Sequence, residues 1–136
     1  MDIRFSCSYF FVALTTMSPV LDTLNNGVIK YYWLAFPSGG VTITLDVIQG
    51  AVTLYASDSI LNSNAQNYDW RVTANTSSGF LEIFLDPAML SRPANAQLFL
   101  AIVGGQSSNT YIMNNAVGDI RTRGMTQFNI IILADL

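Results

Sequence analysis

The side chains able to move a proton, attack a carbonyl or hold a metal are few in this sequence, and their types restrict its chemistry. There is no histidine, which removes Ser-His-Asp and Cys-His catalysis, Cys/His and H-E-x-x-H zinc sites, and a histidine pH switch. The single cysteine, Cys7, cannot close an internal disulfide and reads as a small buried hydrophobe. Lys30 is the only lysine and has no telling serine motif beside it. The only acid pair on offer would combine Glu82 with a turn aspartate across the sheet, but Glu82 stands between Leu81 and Ile83 in an extended segment that turns it to solvent. Gly39-Gly40 and Gly104-Gly105 read as turns, not phosphate-binding loops. The chain is therefore expected to be non-catalytic.

What the sequence offers instead is rings and oxygens. Tyr31, Tyr32, Trp33 and Phe36 form the densest aromatic group. Strand alternation turns Tyr32 outward if Tyr31 and Trp33 point inward, and Tyr32 could then stack on a sugar ring. Tyr55 with Tyr68, Asp69 and Trp70 is a second group, readable as a shared binding patch. The same residues also read as packing, with Tyr68 a core anchor and Asp69 an acceptor for loop amides. Calcium wants six to eight oxygens, and no EF-hand spacing is present. Asp58 and Asp69, which flank an Asn-rich loop, are the carboxylates that would hold such an ion, with Asp86 at another turn. Asn75-Thr76-Ser77 matches a glycosylation acceptor.

These residues need a frame. The chain has 136 residues, enough for one domain, with 51% apolar and 11% charged residues; ordinary domains carry about a quarter charged. Six basic residues against nine acidic leave no electrostatic footprint for nucleic acid. Val41 to Ile48 alternates with period two, and Lys30 to Phe36, Ala51 to Ala56, Tyr68 to Thr73 and Phe80 to Leu85 also read as strands. Gln49-Gly50 predicts a hairpin between the segments on either side of it. Leu98 to Val103 is continuously apolar, the mark of a strand covered on both faces. One helical turn fits around Ala88-Met89-Leu90, Thr110 to Met113 reads as a short strand, Asn114 to Met125 as an irregular excursion, and Gln127 to Leu133 as a final strand. The expected fold is all-β, a single jelly-roll-like antiparallel sandwich of about seven or eight strands. The run from Ser6 to Met17 reads either as a marginal export signal or as a first strand, and it is too short to span a bilayer.

The order YYWLAFPSGG, VTITL, GAVTLYAS, YDW and LFLAIVGG resembles the bacterial pre-peptidase C-terminal domain, over residues 28 to 133. The resemblance divides the chain into an amino-terminal segment, 1–27, and a sandwich domain, 28–136. It implies a β-sandwich attached to secreted enzymes, and hence a secreted or extracellular setting; a cytoplasmic one is the alternative. It also implies an accessory or adhesion module contacting glycan, collagen-like protein or a partner domain. Thr53 stands where that family has an acidic residue before Leu-Tyr, and Trp70 where it has a cysteine after Tyr-Asp. The opposing reading is a self-associating structural or scaffold subunit, built on the low charge and apolar strands.

Overall fold

Each alternating strand has one apolar face to cover, and two facing sheets cover them together. The computed structural model describes residues 11–15 and 18–121, which build that arrangement. Nine strands follow in chain order: β1 (Phe11–Ala13), β2 (Val20–Asn25), β3 (Ile29–Ala35), β4 (Val41–Gln49), β5 (Ala51–Ser57), β6 (Trp70–Asn75), β7 (Phe80–Leu85), β8 (Gln97–Gly104) and β9 (Ser108–Val117). One sheet has the order β1-β3-β8-β5-β6 and the other β2-β9-β4-β7. Pairing is antiparallel apart from β1, which runs parallel to β3. The fold is an all-β sandwich. Its core joins Val41, Ile43, Leu45 and Val47 of β4 to Leu34, Leu54, Leu98, Leu100 and Ile102 of the facing sheet. A 3-10 turn at Pro87–Met89, capped by Asp86, falls where one helical turn is expected. Cys7 and Gln127 to Leu133 lie outside the described residues.

Consecutive strands lie in opposite sheets, β5 and β6 excepted. The hairpin expected at Gln49-Gly50 is thereby corrected: β4 pairs with β7 and β9, and β5 with β6 and β8. Gly50 has φ +77°, a conformation that favours glycine, and a Cβ there would collide with the Ser108 carbonyl and the Asn109 side chain. Asn109, fully buried on β9, holds this corner. Its Oδ1 accepts from Ala51 N and Gln106 N, both at 3.0 Å, while its Nδ2 donates to the carbonyls of Leu24 at 2.9 Å and Gln106 at 2.8 Å. β9 also extends past the short strand expected at Thr110 to Met113. Asn114 and Asn115 pair with Thr44 and Ile43 of β4, and a formed neighbour strand overrides the weak strand preference of asparagine.

The aromatic strand takes the other of its two facings, which corrects Tyr32 as a candidate ligand-binding residue. Tyr32 is fully buried, whereas Tyr31 and Trp33 are half-exposed. A phenol tolerates the interior when its hydroxyl finds a partner, and here it finds two: Tyr111 of the opposite sheet, O to O 2.6 Å, and Asp22 Oδ2 at 3.3 Å. Asp22 also pairs with Lys30 at 2.8 Å. Burial raises both phenols far above the ordinary tyrosine range, so they stay protonated. The two hydroxyls are not equivalent. Tyr32→Phe leaves the Tyr111 hydroxyl buried without another partner among the described residues, whereas Tyr111→Phe leaves Tyr32 bonded to Asp22. Chemical denaturation should show Tyr32→Phe losing the more, about 2 kcal/mol against about 1; the reverse order would contradict this pairing.

Candidate functional site

The alternation that buries Tyr32 places its neighbours on the outer face of the five-stranded sheet. There the register sets Phe11 opposite Tyr31, Tyr31 opposite Ala101, Ala101 opposite Tyr55, and Trp33 opposite Phe99. The Phe11 ring lies 5.3 Å from Tyr31 and 5.9 Å from Phe99, centre to centre, and Tyr68, just before β6, lies 5.5 Å from Tyr55. Phe11, Tyr31, Trp33 and Phe99 are half-exposed, Tyr68 is 41% exposed, and Tyr55 is buried. Ala101 faces outward by its register yet has no exposed surface, because the flanking positions carry rings. Six aromatic side chains thus cover one sheet face, with Thr53, Thr73 and Arg71 beyond them on the same face of β5 and β6.

Next to Tyr68 in sequence, Asp69 joins a cluster of charge with Asp58 and Arg92. The Arg92 guanidinium pairs with Asp58 and, at 2.9 Å, with Asp69, and it donates to Ser59 Oγ at 2.9 Å. The Asp58 side chain has no exposed surface. It also accepts from Asn95 N at 2.7 Å, and its own carbonyl accepts from Asn95 Nδ2 at 3.0 Å. Ser57 Oγ donates to Asp69 at 2.5 Å. Burial pushes the Asp69 carboxyl up, but the hydrogen bonds from Arg92 and Ser57 outweigh it and hold the group below the usual carboxylate range. The cluster fastens the 58–69 loop to the segment after the 3-10 turn.

The expected site residues therefore separate. Tyr55 and Tyr68 share the outer face. Tyr32 is withdrawn into the core and cannot stack on a ligand. Trp70, one residue after Asp69, turns inward and meets Phe36 edge-on at 5.9 Å, the packing role its position allows. Asp58 and Asp69 do converge, but on a guanidinium, so a cation there would have to displace Arg92. No group of three or more metal-ligating acidic, histidine or cysteine side chains occurs among the described residues. Phe11, Trp33 and Phe99 escaped the sequence reading as surface residues, since alternation fixes which residues share a face but not which face is outer. Arg92 lies 34 positions from Asp58, and no local spacing signals that pairing.

No protein-family model matches the sequence, and no curated protein does. Solved structures similar in fold include two of known role. One is the pre-peptidase C-terminal domain of collagenase from Bacillus anthracis, 15% identical with a TM-score of 0.57, the match covering 84% of this chain and 99% of that one. The other is the periplasmic inhibitor of g-type lysozyme from Aeromonas hydrophila, 12% identical with a TM-score of 0.51, covering 79% of this chain and 95% of that one. The chain has a fold like that of the pre-peptidase C-terminal domain. Among the described residues no helix is long and apolar enough to cross a membrane.

The depressed Asp69 carboxyl gives a signed pH dependence. Its stabilisation is complete above the unfolded-state value, about 3.9, and is lost as pH falls through the lower folded-state value. Asp69→Asn should lower the melting temperature at neutral pH and flatten the acid-side decline; an unchanged slope between about pH 5 and 2 would count against this role. Arg92→Gln strands the buried Asp58 carboxylate. Arg92→Gln should therefore lower the midpoint of denaturant unfolding by more than Arg71→Gln, and equal midpoints would count against the pairing.

Proposed function

We propose that this chain is a non-catalytic binding or accessory module that holds a glycan by stacking on the outer face of its five-stranded sheet. The observation that carries the reading is the group of half-exposed rings: Phe11, Tyr31, Trp33 and Phe99, with Tyr68 at the margin. Rings present broad apolar faces to the C–H surfaces of a sugar, and tyrosine hydroxyls add hydrogen bonds at the edges. A few such rings on an open face suit weak, repeated contacts better than a deep single site. The two structural neighbours, one a domain of a collagenase and the other an inhibitor of a lysozyme, support an accessory role outside the cytoplasm. A collagen-like protein or a partner domain could use the same rings.

Self-association is the second reading, favoured by β7, an edge strand among the described residues. That strand, FLEIFL, carries Glu82 as its one charge and leaves Phe80 60% exposed, and an apolar edge invites pairing with another copy. Light scattering of the whole chain, followed by glycan-array and collagen binding with and without calcium, separates the two. A glycan-binding monomer is expected. Tyr68→Ala should weaken it about tenfold with little change in melting temperature. A stable oligomer that retains neither ligand would sink the module and favour assembly; a calcium requirement would restore Asp58 and Asp69 as metal ligands.

A further inference from the structure

At the end of the sandwich beside the β3–β4 turn lies a cleft of about 530 Å³, lined by Leu14, Leu34, Phe36, Pro37, Val41 and Val117 among others, none of them charged. That volume suits a small molecule. Two residues bring polar groups to this wall, Thr15 and Asn115. Asn115 follows Asn109, Tyr111 and Met113 on the inward face of β9, and it is only 5% exposed. Its Nδ2 donates to the Thr15 carbonyl at 3.1 Å, but among the described residues no donor reaches its Oδ1. Buried amides are rarely left half-bonded. Asn109, on the same face of the same strand, uses both ends of its amide in four hydrogen bonds. The contrast marks Asn115 as the one inward amide of β9 with an acceptor still open, and that amide sits on the wall of an apolar cleft.

We propose that the cleft binds a neutral, mostly apolar molecule with a single hydrogen-bond donor, an alcohol in the simplest case, whose hydroxyl donates to Asn115 Oδ1. The apolar walls take the hydrocarbon body, and with no charged residue among the described lining a carboxylate or an ammonium head is disfavoured. This site is separate from the outer aromatic face and does not depend on a glycan binding there.

Titration of the full chain with 1-decanol and with decyl methyl ether tests the proposal, since methylation removes the donor and keeps the chain. The alcohol should bind about fivefold more tightly, the effect of one neutral hydrogen bond. Asn115→Leu should abolish that preference. Ala96→Trp, at an exposed position on the cleft wall, should block both probes and needs no change in the core. Failure of both probes to bind the unaltered chain, a preference that survives Asn115→Leu, or binding that survives Ala96→Trp would each overturn it.

Discussion

A backbone that changes sheet at almost every connection exposes amides at its corners, and those amides need partners before the core can close. Asn109 meets that need at the sharpest corner. One side-chain amide accepts from Ala51 at the start of β5, accepts and donates within its own turn at Gln106, and donates to the last residues of β2 through Leu24. It therefore fixes the end of β2, the start of β5 and the β8–β9 turn at one point. Gly50 and Gly104 let the chain approach that point, since a Cβ on either would strike Asn109 itself. With the corner set, β4 and β5 diverge into opposite sheets and their apolar faces turn toward each other.

The polar groups inside the sandwich follow the same logic to different degrees. Tyr32, Tyr111, Asp22 and Lys30 form a chain of bonds that ends at a partly exposed ion pair, so charge reaches solvent while the phenols stay inside. Asp58 is buried, yet Arg92 and Asn95 surround its oxygens. Asn115 is the exception among them. Arg92 thus fastens a loop through Asp58 and Asp69, and Lys30 ties β3 to β2 through Asp22.

Much of this frame was legible in the sequence because it depends on period. The strict alternation of Val41 to Val47 and the uninterrupted apolar run of Leu98 to Val103 are direct consequences of burial on one face and on two. Facing was not legible. Tyr31, Tyr32 and Trp33 alternate whichever way they point, and the choice rests on Tyr111, 79 positions away. The Gln49-Gly50 corner looked like a hairpin because turn chemistry is local, whereas the amide that captures Ala51 comes from β9. Asn114 and Asn115 read as loop for the same reason, since their place in a strand is conferred by β4. The convergence of Asp58 and Asp69 was visible from their loop, but not the cation already between them.

Ala101 carries a consequence for how freely the outer face can change. It lies on the central strand β8, faces away from the core, and is nonetheless shut off from solvent. The rings that would meet a ligand therefore also roof the middle of the sheet, giving β8 cover on both sides. On most binding surfaces specificity can drift while the scaffold stays indifferent. Here a change of ring alters the shelter of the central strand as well, so the proposed recognition would be tied to stability everywhere but at the margin occupied by Tyr68.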